Sequence, residues 1–373
     1  MIDKLPEIVE RKFALKYLKE IGYGLLIASV LILVIAIYME IDPVKMPQKQ
    51  FRNVEANHIK KNTKYFHYYL DQIKANNGTL LLGTSETVWM DGVNYWRVLD
   101  GDSSIQENIS VLSGAGRCMD IYYPLIVANP EAWKDLELMV FVNPTYWREG
   151  LNYARETYMN RYLDKGFLYS IKGELQEKGV WDWYSHIYKN QIVACSKSVG
   201  YEVDVIRSVY YYDFKMREGV VEFPFDGNFH DPYDFSKLSE YRSLIDTTKN
   251  VSYHFLETTK DNDFPSVDTA SSYRSEMLSK FIRICDETGV NLTIILGPYN
   301  AFYADAIGQG EKKQAYEDLH LQITDTLNKY QVNTIDLWDL SYRNDVFKDY
   351  QHHGKYGAYL IYKQLKPYFN ENR

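Results

Sequence analysis

Cysteine is scarce in this chain. Cys118, Cys195 and Cys285 lie far apart among 373 residues, with no C-x-x-C pair. That spacing excludes a disulfide framework and a cysteine-built zinc site. Histidine gives no H-x-x-x-H pair, and the adjacent His352 and His353 point to opposite faces of an extended segment. No metal site is therefore expected, because metal ligands need convergent geometry. Lysine and arginine form no long run, and the formal charge is −8. That balance argues against blanket attraction to nucleic acid and leaves only a local basic groove open. Internal repeats and low-complexity segments are absent too. What remains has 46% hydrophobic and 25% charged residues, the proportions of a globular protein able to bury a large core.

One segment departs from that average. Ile21 to Met39, "IGYGLLIASVLILVIAIYM", carries no charged side chain. As a helix it spans about 28 Å, close to the hydrocarbon thickness of a bilayer. The following "EIDPVKMPQKQF" offers no small-residue cleavage site, so a retained anchor is expected over residues 21–39. Lys4, Arg11, Lys12, Lys16 and Lys19 precede it, against Lys45, Lys49 and Arg52 after it. This excess predicts a cytoplasmic N-terminus (1–20), a tether (40–52) and an extracytoplasmic domain (53–373).

Within that domain, five short apolar runs alternate with helical patterns. The runs begin at Thr79, Ile109, Leu136, Val290 and Val332. Helical spacing is read over 54–74, after Asn143, and in the stretches before and after the fourth run. Such alternation predicts an α/β fold, a flavodoxin-like doubly wound parallel sheet. Residues 171–270 break the alternation and are rich in Tyr, Trp and Asp, so they read as a helical and aromatic insertion. The 34 tyrosines suit carbohydrate stacking as well as ordinary half-buried packing.

The first run, "TLLLG", ends in Thr84-Ser85-Glu86. A serine at the carboxyl end of a parallel strand lies where such sheets gather their chemistry, though it can also simply cap a helix. A serine nucleophile needs a base and a group that orients the base. "KDYQHHG" near the C-terminus offers Asp349 and His352 at D-x-x-H spacing, which a tight turn brings within reach of each other. An oxyanion would need preorganised donors. Gly114 and Gly116 in "LSGAG" and the side chain of Asn143 are candidates, each after a predicted strand.

Serine after the first strand, glycine after the second, asparagine after the third and a late D-x-x-H resemble the SGNH hydrolases. The closer resemblance is to the DltD family of D-alanyl-lipoteichoic acid biosynthesis proteins. Its G-[ST]-S-E turn is matched by Gly83, Thr84, Ser85 and Glu86, and its D-x-x-H-x-G-x-x-G pattern by Asp349, His352, Gly354 and Gly357. That register selects His352 over His353. "GPYNAFYADAIG" places Asn300 in a matching late stretch, whereas "NPTYW" replaces the family's Ser-Pro-Gln-Trp.

The resemblance implies an SGNH-like fold and a single-pass protein of the cell membrane that D-alanylates teichoic acid through an acyl-serine. Ser85, His352 and Asp349 would be catalytic, and Thr84, Glu86 and Asn300 would line the substrate. The implied partners are a membrane-bound O-acyltransferase, an acyl carrier protein acting indirectly, membrane lipid, and teichoic acid or another surface glycan. No cofactor is required by this chemistry. Two other readings use the same residues. One is an O-acetyltransferase or esterase of another surface polysaccharide. The other is a non-catalytic protein that presents carrier or glycan to a membrane O-acyltransferase.

Overall fold

The computed structural model describes residues 5–41, 52–54, 67–87, 98, 102, 109–113, 118–148, 163, 165–185, 199, 225–226, 233–258, 264–268 and 272–370. The chain divides into two units, Met1–Lys45 and Met46–Arg373.

The first unit holds one continuous helix, α1 (Leu5–Ile41), which contains the whole expected span 21–39. Leu25, Leu26, Ile27, Val30, Leu31, Ile32, Leu33 and Val34 are each more than half exposed. An apolar surface of this size is costly in water. By length and composition the helix can cross a bilayer.

The second unit is built on a seven-stranded sheet. Its strands are β1 (Arg52–Val54), β2 (Thr79–Gly83), β3 (Ile109–Ser113), β4 (Glu137–Val142), β5 (Phe225–Asp226), β8 (Asn291–Leu296) and β9 (Asn333–Asp336). A separate hairpin joins β6 (Ile245–Asp246) to β7 (Val251–Ser252). The sheet order is β5-β1-β3-β2-β4-β8-β9. The five expected strands form its parallel centre, in the order second, first, third, fourth, fifth. Strand order therefore reverses between β2 and β4, and the carboxyl ends of both open at one edge. The short strands β1 and β5 extend the sheet beyond those five. β1 begins at the last residue of the expected tether and pairs parallel to β3.

Among the described residues, the longer helices of this unit are α2 (His67–Ala75), α3 (Met119–Ala128), α4 (Ser272–Thr288), α5 (Gly310–Lys329) and α6 (Lys355–Asn370). On α6, Ala358, Ile361, Tyr362, Leu365 and Phe369 recur at helical spacing and are all buried. They share one core with Leu81, Phe141, Ile295 and Ile335 of the sheet. A buried ion pair ties α3 to α4: Arg274 donates to Asp120 at 3.0 Å, and the Tyr273 hydroxyl reaches the same oxygen at 3.1 Å.

Two expectations change. The helix expected over 54–74 is observed as α2, with 55–66 outside the described residues. After Asn143 a 3₁₀ turn, Pro144–Trp147, stands where a helix start was expected, and 149–162 are outside the described residues. Of the expected insertion over 171–270, the later part is described over 233–258 and 264–268. Tyr233 and Tyr241 pack in the same core as α6.

Candidate active site

Gly83 ends β2 and opens the turn that carries Ser85. A Cβ on Gly83 would stand 2.6 Å from Thr87 Cγ2, so only glycine fits beneath Thr87. Thr87 closes the turn by donating its N–H (3.1 Å) and hydroxyl (3.0 Å) to the Thr84 carbonyl. Tyr122 of α3 ties the neighbouring strand ends, donating to the carbonyls of Leu112 at 2.8 Å and Gly83 at 3.2 Å.

The second half comes from the loop before α6. Asp349 Oδ1 accepts the backbone N–H groups of Gln351 (2.8 Å) and His352 (2.7 Å). Those two bonds wind the chain into a tight turn and leave Oδ2 facing His352 Nδ1 at 2.8 Å. His352 Nε2 then lies 3.0 Å from Ser85 Oγ. Ser85, His352 and Asp349 thus form one hydrogen-bonded line, with 267 positions of sequence between the serine and the histidine.

Electrostatics fix the proton positions. Burial raises the Asp349 carboxyl, but the bonds from His352 and the two backbone N–H groups outweigh it and leave the pKa below the ordinary value. An ionised carboxylate only accepts, so Nδ1 carries the hydrogen and Nε2 presents its lone pair to Ser85. Burial pulls the His352 pKa down, yet Asp349 and then Glu86 outweigh it, and the net shift is upward. His353 is different. Burial and the adjacent His352 push it down to about 3, and its ring packs edge-on to Phe141 at 6.1 Å. The neutral, buried ring is a packing group, in line with the register that selected His352.

The other expected site residues are placed as follows. Thr84 and Glu86 are 3% and 2% exposed, below the open face rather than on it. Glu86 accepts the hydroxyls of Thr84 and of Thr145 (3.3 Å), which binds the serine turn to the corner after β4. Burial raises its pKa against the opposing pull of His352 and Arg148. Asn143 has no exposed surface, and its amide oxygen accepts from Thr145 N–H at 2.9 Å while its nitrogen donates to the Pro298 carbonyl at 3.1 Å. Those bonds make it a cap and a cross-link between strand ends. Asn300 is equally buried, donating to the carbonyls of Asp349 (3.0 Å) and Asn250 (2.6 Å). The first of these bonds sets it beneath the Asp349 turn. Gly114 and Gly116 lie outside the described residues.

Sequence reasoning missed two groups. Asn250, at φ 54°, accepts from the N–H groups of Val346 and Phe347 and donates to Asn300. It anchors both approaches to the Asp349 loop. Its only local signal is an asparagine in a polar turn, "TTKN", where left-handed backbone is tolerated. The other is the pair Arg148 and Gln351. The guanidinium donates to Gln351 Oε1, and Gln351 Nε2 stands 3.4 Å from Ser85 Oγ.

A family model described as DltD protein matches residues 251–370. That segment, about a third of the chain, is similar to the DltD family. No curated protein matches the chain. The DltD segment begins inside the stretch 171–270 that sequence reading set apart, and it includes Asn300, Asp349, His352, Gly354 and Gly357. Ser85 and Asn250 lie outside it, yet both bond directly to residues within it.

Proposed function

We propose that this chain is a serine acyltransferase, anchored by α1 in the cell membrane, that transfers D-alanine to teichoic acid at the outer face. On this reading the sheet is an SGNH-like doubly wound sheet, whose active edge lies at the carboxyl ends of its strands where the order reverses. The observation that carries the reading is the 3.0 Å contact between Ser85 Oγ and His352 Nε2, with Asp349 behind the ring at 2.8 Å.

Chemistry follows from that line. Ser85 Oγ attacks the carbonyl carbon of an activated acyl group as its proton passes to His352 Nε2. Asp349 holds the resulting imidazolium. The leaving group takes that proton as the tetrahedral intermediate collapses, leaving an acyl-serine. An acceptor hydroxyl then gives its proton to Nε2, attacks the acyl carbon, and Ser85 recovers a proton from the imidazolium. The backbone N–H groups of Ser85 and Gly116 are assigned to the oxyanion. Asn143 serves that edge by fixing Pro298 and Thr145. A membrane-bound O-acyltransferase, fed by an acyl carrier protein, is the proposed source of the acyl group.

In cells lacking the native copy, the wild-type chain should restore alkali-labile D-alanine ester on teichoic acid. Ser85→Ala, produced at the same level, should not. Full restoration by Ser85→Ala would reduce Ser85 to a cap and overturn the reading.

A further inference from the structure

Deacylation of an acyl-serine starts with a hydroxyl that gives its proton to His352 Nε2 while it attacks beside Ser85 Oγ. One side chain stands beside both of those atoms. Gln351 Nε2 lies 3.1 Å from His352 Nε2 and 3.4 Å from Ser85 Oγ, and the Gln351 side chain is almost fully buried.

The amide cannot be turned around. Arg148 has only donors, so the Gln351 oxygen must face it and the NH₂ group must face the imidazole. Arg148 is itself held, with its guanidinium 5.1 Å from the centre of the Tyr350 ring and its backbone bridged to Val267. Gln351 is fixed from below as well, by the bond from its N–H to Asp349. An amide N–H can hydrogen-bond to Nε2, but it supplies neither a nucleophile nor a proton that imidazole removes.

We infer that Gln351, clamped by Arg148, holds the place of the attacking hydroxyl and keeps water from the acyl-serine until an acceptor displaces it. This rests on the reading of Ser85 as the nucleophile. Gln351 then selects transfer over hydrolysis, and Arg148 is the residue that positions it. A polyol hydroxyl bound by the rest of its chain can replace the amide at Nε2. A single water has no such binding energy to draw on.

The test uses the full chain and p-nitrophenyl acetate, with the acetyl-enzyme followed by rapid quench and intact mass, and glycerol as added acceptor. Wild type should accumulate acetyl-Ser85 and lose it slowly to water. Gln351→Ala should lose it roughly tenfold faster, the kinetic equivalent of one hydrogen bond in this setting, and should favour acetate over acetylated glycerol by a similar factor. Arg148→Ala keeps every side chain of 349–352 and should shift both quantities the same way, with Arg148→Lys restoring part of the wild-type ratio. A faster reaction cannot come from misfolding. Equal or slower deacylation in both alanine variants, with Ser85 still acetylated, would overturn this inference alone. Absence of acetyl-Ser85 in wild type would overturn the nucleophile assignment and this inference together.

Discussion

Gly357→Ala is expected to destabilise the larger unit by about 3 kcal/mol and to remove activity with it. Gly357 sits in the first turn of α6, pressed against the strand-like segment that leads into the Asp349 loop. A Cβ there would meet the Val346 carbonyl group, 2.8 Å from its carbon, and would stand 3.1 Å from His353 Cβ. Neither neighbour can yield. Val346 accepts the Gly354 N–H and is itself bound to Asn250, while His353 is buried against Phe141. Gly354→Ala is the control. Its Cβ would meet Ile245 Cδ1 at 3.5 Å, an ordinary contact, so the cost should stay below about 1 kcal/mol. Thermal unfolding of the two variants beside wild type checks the contrast. Equal midpoints for Gly357→Ala and wild type would contradict it.

Asp349→Asn should lower the rate of Ser85 acylation by about 10³–10⁴-fold, because the amide no longer fixes the Nδ1–H tautomer or stabilises the imidazolium. The pH profile should move as well. His352 acts as base only when neutral, and its pKa lies above the ordinary histidine value. Wild-type acylation should therefore rise with pH through a midpoint above about 6.5. Removing Asp349 removes the leading upward cause, so the midpoint of the residual rate should fall. The stability contribution has the matching sign. A folded pKa raised above the unfolded one stabilises the protein below about pH 6.5, and the gain is lost as pH rises through the folded value. Acylation rate against pH, with a p-nitrophenyl ester, measures both effects. An unmoved midpoint in Asp349→Asn would mean that the carboxylate does not set the imidazole's charge.

The parallel centre of the sheet was legible because its strands are short apolar runs ended by small or polar residues. Leu80, Leu81 and Leu82 before Gly83 are typical, and all three are buried. The histidine and its carboxylate were legible because three residues of spacing suffice to wrap Asp349 around His352, so sequence distance stood in for spatial distance. Glu86, Asn143 and Asn300 show what sequence distance leaves out. Each has the residue type of a ligand-binding group at a strand end, and each is spent on holding loops together out of solvent. Burial depends on what covers a residue, and its neighbours in the chain do not specify that. Arg148 and Gln351 lie 203 residues apart, and no periodicity links them. Asn250 had a faint signal, a turn asparagine, but its partners at 300, 346 and 347 are fixed by the fold of the whole unit.

The direct measurement is labelling of the full chain with a fluorophosphonate, read by intact mass and peptide mapping. An activated serine alone among hydroxyls should form the phosphonyl ester. One adduct on Ser85, lost in Ser85→Ala and reduced at least about 10³-fold in rate in His352→Ala, is the predicted result. A folded wild-type chain that takes up no label at Ser85, or labels equally well without His352, would contradict the assignment of Ser85 as a nucleophile activated by His352.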